Sequence, residues 1–116
     1  MIFSDLSTRI AAILHRTDLA PQMVNFAADA TDKINTRFTL SLTAPVAPAD
    51  TNTVLTDSPL LYLYASLESA YEFLNNGENA VYYADKFAAL AAEQNITGGK
   101  SSTDPYLIDP PQIKGV

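Results

Sequence analysis

Apolar positions recur at helical spacing along most of this chain and switch to a period of two in one internal stretch. The clearest register lies in LLYLYASLESAYEFL, where Leu60, Tyr64, Leu67, Tyr71 and Leu74 follow at steps of four, three, four and three. Those steps line up side chains on one side of a 3.6-residue turn, and they predict a helix from about Pro59 to Asn75. Ser58 is placed to cap its free amides, Pro59 sits where a missing N–H costs nothing, and Asn76-Gly77 ends it.

Three further helices follow from the same reading. The first runs from about Asp5 to His15, with Ser4 as its cap and Leu6, Ile10, Ile13 and Leu14 on the buried side, and Arg16-Thr17-Asp18 breaks it. The second begins at Leu19 or Pro21 and reaches Phe38. Met23, Phe26, Ala27, Ala30, Ile34 and Phe38 form its apolar stripe, and Asp29 and Lys33 make an i,i+4 pair on the wet face. The last spans about Glu78 to Gln94, with Val81, Ala84, Phe87, Ala88 and Ala91 inward.

Between the second and third helices the pattern changes. Phe38, Leu40 and Leu42 alternate with Thr39, Ser41 and Thr43, the run ends at Ala44-Pro45-Val46-Ala47-Pro48, and residues 51–56 are again rich in Thr and Val. We read residues 39–56 as an excursion, either a β-hairpin or a long irregular loop, projecting from the helices. Leu40, Leu42, Val46 and Val54 are its candidate contacts with another copy or a partner protein, because long connections are often functional or ordered by a partner. The only domain boundary falls near Thr97, dividing a helical domain (1–96) from an extended tail (97–116). That tail holds Gly98, Gly99, Pro105, Pro110 and Pro111 together with the apolar anchors Tyr106, Leu107, Ile108 and Ile113, a peptide-docking design.

Composition narrows the function more by exclusion than by motif. A length of 116 residues suits one domain with a modest core, and a hydrophobic fraction of 47% is ordinary for a globular protein. No apolar run nears the roughly 18 residues that cross a bilayer, and MIFSDLSTR has neither a basic n-region nor an h-region, so folding in the cytoplasm is expected. With no cysteine, thiolate chemistry and Cys-ligated zinc are excluded. The net charge of -6 is spread over Asp29, Asp32, Glu68, Glu72, Glu78, Asp85 and Glu93, so the chain lacks the basic footprint that grips nucleic acid.

Candidate chemistry is sparse. His15 is the only histidine and sits at a helix end, where an imidazole usually complements the C-terminal dipole. Glu68 and Glu72 lie four apart and could share a proton or a metal, but no Glu-x-x-His motif accompanies them. Gly98-Gly99-Lys100-Ser101 lacks the spacing of a phosphate loop and follows a helix where a strand belongs. Tyr62, Tyr64, Tyr71, Tyr82 and Tyr83 could stack bases, although core and interface packing explains aromatics at helical spacing better. We expect no enzyme, no cofactor and no metal.

The order of features resembles the head-to-tail adaptor (connector) proteins of tailed bacteriophages, especially those of short-tailed phages. The likeness runs through Ile10-Ala11-Ala12-Ile13-Leu14, Arg16-Thr17-Asp18-Leu19, Phe26-Ala27-Ala28-Asp29-Ala30 and Ile34-Asn35-Thr36-Arg37, then Leu60 to Leu67 and Ala70 to Leu74, covering about residues 6–94. The resemblance implies a small four-helix bundle carrying the excursion and the tail. It also implies a homo-oligomeric ring, of about twelve copies, in the virion neck between capsid portal and tail. The partners implied are the portal protein, reached by Tyr106, Leu107, Ile108 and Ile113, and a tail nozzle or tail-tube protein below. Genomic DNA would pass through the ring without specific binding, which an acidic body suits, and no membrane is involved. A small cytoplasmic helical regulator that binds a protein partner is the alternative with the same composition.

Overall fold

A computed structural model describes residues 1–94 and the backbone of Ile96–Thr97 and Lys100–Ser101. The chain is mainly helical, with five α-helices among the described residues: α1 (Phe3–Leu14), α2 (Met23–Phe38), α3 (Thr53–Asp57), α4 (Pro59–Phe73) and α5 (Gly77–Glu93). A single 3-10 turn, Ala20–Gln22, leads into α2, with its proline in the first turn where no amide is lost. Ile96–Thr97 and Lys100–Ser101 pair antiparallel.

Helix α4 is the spine, packed against α5, α2, α3 and α1. Leu61, Tyr62, Leu63, Ala65, Ser66, Leu67 and Ala70 are all buried, so it is covered on most of its circumference rather than along one stripe. The stripe expected from Leu60, Tyr64, Leu67, Tyr71 and Leu74 is therefore rotated from the real interior: Leu60 is exposed, Tyr64, Tyr71 and Leu74 are half-buried, and only Leu67 is fully enclosed. A helix that is apolar all round takes its orientation from its neighbours, because its own sequence gives no preferred face.

The second helix matches its expected stripe closely. Met23, Phe26, Ala27, Ala30 and Ile34 are buried, Phe38 is half-buried, and Leu6, Ile10 and Leu14 of α1 join them in one core. In α5 the inward set is Ala80, Phe87 and Ala91, whereas Val81 and Ala88, expected inside, are exposed. The Asp29–Lys33 pair is replaced by links between helices. Lys33 pairs with Glu68 on α4, and Ser69 donates to Asp29 at 2.6 Å.

Both expected serine caps are corrected. Ser4 lies inside α1, whose first amides are met from far along the chain: Phe3 N–H donates to the Asp50 carbonyl at 2.8 Å and Ser4 N–H to that of Pro48 at 2.9 Å. Free amides of a first turn must find some acceptor, and here the excursion provides it. Ser58 caps nothing with its side chain, which instead donates to Gln94 Oε1 at 2.9 Å and ties the start of α4 to the end of α5.

Residues 39–52 take the second of the two forms expected, an irregular stretch without strand pairing, and lie on the helices as a strap rather than projecting from them. Asn35 grips Leu42 twice, accepting from its amide at 2.9 Å and donating to its carbonyl at 3.1 Å. Pro45 is fully buried, and the Asp50 carboxylate accepts from the Val46 and Ala47 amides, which hold its pKa below the usual carboxylate value. Asn52 then caps α3 by accepting from Leu55 N–H at 2.9 Å, turning the Thr/Val-rich run into a fifth helix.

Among the described residues one buried polar side-chain atom has no partner: Ser66 Oγ, on the fully enclosed face of α4. An unmet hydroxyl carries a desolvation penalty of about 1–3 kcal/mol. Ser66→Ala is accordingly expected to stabilise the protein by about 1 kcal/mol, seen as a higher midpoint in urea; a lower midpoint would mean that the hydroxyl is satisfied by bound water.

Candidate functional site

The residues singled out from sequence are not gathered at one place. Val54 belongs to the core at 1% exposure, and Leu40 and Leu42 lean half-buried against it. Val46, at the tip of the strap, is 59% exposed and is the member of that set offered most fully to a neighbour. Tyr106, Leu107, Ile108 and Ile113 lie outside the described residues, as does most of the proposed tail.

The tyrosines divide in two. Tyr62 is completely buried and sits in a polar chain: its hydroxyl lies 2.9 Å from Thr31 Oγ1 and accepts from Asn52 Nδ2 at 2.7 Å, while Thr31 donates to the Ala27 carbonyl at 2.8 Å. Since the Thr31 proton is committed to Ala27, Tyr62 donates to Thr31, and both the Thr31 and Tyr62 hydroxyls are satisfied. Burial raises the phenol pKa, and the amide proton that Asn52 donates to the phenol oxygen opposes that shift. Asn52 also donates to the Thr43 carbonyl at 3.0 Å, so a single amide joins strap, α3 and spine.

The other four form a surface cluster on α4 and α5. Tyr71 and Tyr83 stack in parallel with centroids 5.7 Å apart, Tyr82 meets Tyr83 edge-on at 5.0 Å, and Tyr64 lies 6.1 Å from Tyr83. Burial and the surrounding tyrosines push the Tyr83 phenol up, with Lys86 acting the other way. Tyr82 is half exposed, and Lys86 Nζ stands 5.4 Å from its ring centroid. Large amphipathic rings with free hydroxyls suit a protein interface more than a dry core. Adjacent Tyr82 and Tyr83 carried a signal in the sequence, since on a helix covered along one stripe adjacent positions do not both face the core.

Two grooves flank α2. One, of about 600 Å³, runs between α2 and α5 over Ala84, Phe87 and Ala88, with Asp32, Lys33, Thr36 and Arg37 on its opposite wall. Lys33 Nζ sits 5.5 Å from the Phe87 ring centroid, and burial lowers its pKa while Glu72 raises it. The other groove, about 420 Å³, is lined by Asn25, Asp29, Ser69 and Glu72 beside the Phe26–Phe73 edge-to-face pair. Phe73 is 52% exposed there, an apolar ring held at the surface.

The carboxylates disperse. Glu68 is taken by Lys33, while Asp32, Glu72, Glu78, Asp85 and Glu93 are exposed on three different helices. Among the described residues no three His, Cys, Asp or Glu side chains converge on a common point. His15 ends α1 in the left-handed conformation, exposed, with its amide bonded to the Ala12 carbonyl at 3.3 Å. The site is thus a set of surfaces: an aromatic cluster, an apolar groove, and acids spread around both. Compared with known proteins, the chain matches no family model, no curated protein and no solved structure.

Proposed function

We propose that this chain is a virion structural protein, a head-to-tail adaptor of a tailed bacteriophage. Its helices would form a small bundle, and copies of that bundle would close a ring beneath the portal that extends the DNA channel toward the tail. The observation that carries this reading is the division of labour in the helical body. The segments that resemble the adaptor family supply the buried spine, from Ile10 and Leu14 through Phe26, Ala27 and Ala30 to Leu61, Leu67 and Ala70. Among the described residues the exterior carries exposed acids and discrete aromatic patches, surfaces suited to assembly.

Each part has a use in such a ring. Exposed Asp32, Glu72, Asp85 and Glu93 would keep DNA from adhering to a channel wall. The Tyr64, Tyr71, Tyr82 and Tyr83 cluster, with Val46 on the strap, offers contact area to adjacent copies or to the nozzle or tube protein below. The tail anchors Tyr106, Leu107, Ile108 and Ile113 would engage the portal.

Size-exclusion chromatography of the chain mixed with its cognate portal tests the reading. The full chain is expected to co-elute with the portal, and a chain ending at Thr97 to elute alone while keeping its helical circular dichroism. Co-elution of the shortened chain would remove the tail from the portal contact, and loss of its dichroism would make the tail part of the core.

A further inference from the structure

We propose that the groove between α2 and α5 is the seat of this chain's own residues 104–109, Asp-Pro-Tyr-Leu-Ile-Asp, held in the same molecule. The groove has the right floor. Ala84 and Ala88 stand one helical turn apart on α5 and leave depth on either side of Phe87, so an apolar side chain laid between them meets carbon below. It also has the right rim. Arg37, exposed at the C-terminal end of α2, has its guanidinium 5.3 Å from the Phe38 ring centroid and makes no ion pair among the described residues. Lys33, one turn earlier on the same wall, is already committed to Glu68.

The segment is complementary on both counts. Tyr106, Leu107 and Ile108 are three consecutive apolar residues, and Asp104 and Asp109 bracket them. Seated with the apolar trio over Ala84 and Ala88, the segment brings one of its carboxylates to Arg37, where a bidentate pair at the edge of an apolar surface is favourable.

Chain length permits this without a second molecule. Phe87 lies six residues before the end of α5, about 9 Å along the helix. Ser101 pairs back onto Ile96 just beyond that end, and the six residues from Ser101 to Leu107 span up to about 20 Å when extended. A tether this short sets an effective concentration in the millimolar range, far above that of a second copy in dilute solution. The inference rests on the adaptor reading in one respect only. If the tail engages a portal, the groove is where its anchors are kept until the portal competes for them.

The chain has no cysteine, so disulfide trapping reads the contact directly and needs no portal. In the full chain carrying Ala88→Cys and Leu107→Cys, mild oxidation at low micromolar concentration is expected to close an intramolecular disulfide at least about tenfold faster than in an Arg9→Cys, Leu107→Cys control on exposed α1. Adding Arg37→Glu should erase most of that advantage, and charge reversal at Asp104 or Asp109 should restore it. Ala84→Cys with Ile108→Cys repeats the test should the first pair disturb folding by circular dichroism. Equal closure rates at the groove and on α1 would overturn the proposal. So would disulfide-linked dimers whose share rises with protein concentration, which would assign the groove to a second copy.

Discussion

Asn52→Ala is expected to lower the unfolding free energy by about 3 kcal/mol. Three losses fall on one side chain. Helix α3 loses its cap, worth about 1 kcal/mol, the Tyr62 hydroxyl loses its donor, and the Thr43 carbonyl is left to water. Because Tyr62 is completely buried, its freed lone pair finds no replacement, and the penalty for a buried unmet group applies. In urea the transition should move to lower denaturant with its slope unchanged, since the surface exposed on unfolding is the same. Pairing the change with Tyr62→Phe in a double-mutant cycle should show the two effects to be strongly non-additive. A shift within about 0.5 kcal/mol, the range of ordinary surface substitutions, would mean that the strap is held elsewhere.

Reversing Asp32, Glu72, Asp85 and Glu93 to lysine together is expected to make the chain bind DNA where the unaltered acidic chain does not. Each reversal shifts the net charge of -6 by two units, so four of them make the chain net positive. All four side chains are exposed, so lysine there leaves the core untouched, at the cost of some repulsion of Lys33 from position 72. Binding should be steeply salt-dependent, with about 0.9 unit of slope for every phosphate contacted, and should fade as salt screens the surface. A filter-binding titration at several salt concentrations measures this. Absence of binding at low salt would mean that the acids serve solubility alone, and the electrostatic support for a DNA channel would go.

The parts of the fold that were legible in sequence are those where local pattern and tertiary packing agree. Met23, Phe26, Ala27, Ala30 and Ile34 of α2 sit on one face of an otherwise charged helix, so periodicity alone located the interior. The same method misplaced α4, because Leu61, Tyr62 and Leu63 are as apolar as Leu60 and Tyr64 and only the flanking helices decide which are covered. On α5 the weak contrast between alanine and valine let Val81 pass for a core residue in place of Ala80.

The strap was illegible for a different reason. Its anchors are backbone carbonyls at Pro48 and Asp50 reaching α1, and amide side chains at Asn35 and Asn52 reaching across the fold. Such bonds have no periodicity, and alternating Leu and Thr imitated a strand. A sharper reading had one foothold in Asn52 three residues before Leu55, the spacing of a side-chain cap. Of the candidate surfaces, the acids and the tail anchors could be named from sequence. The α2–α5 groove could not, since it exists only once two helices are set side by side.

The adaptor account stands or falls on assembly with a portal. Negative-stain images of purified portal, alone and mixed with an excess of this chain, measure that most directly. The account predicts an added ring of density on the tail-proximal end of the portal, coaxial with it and open at the centre. Portal particles unchanged by the chain, with the chain itself still free in solution, would contradict it.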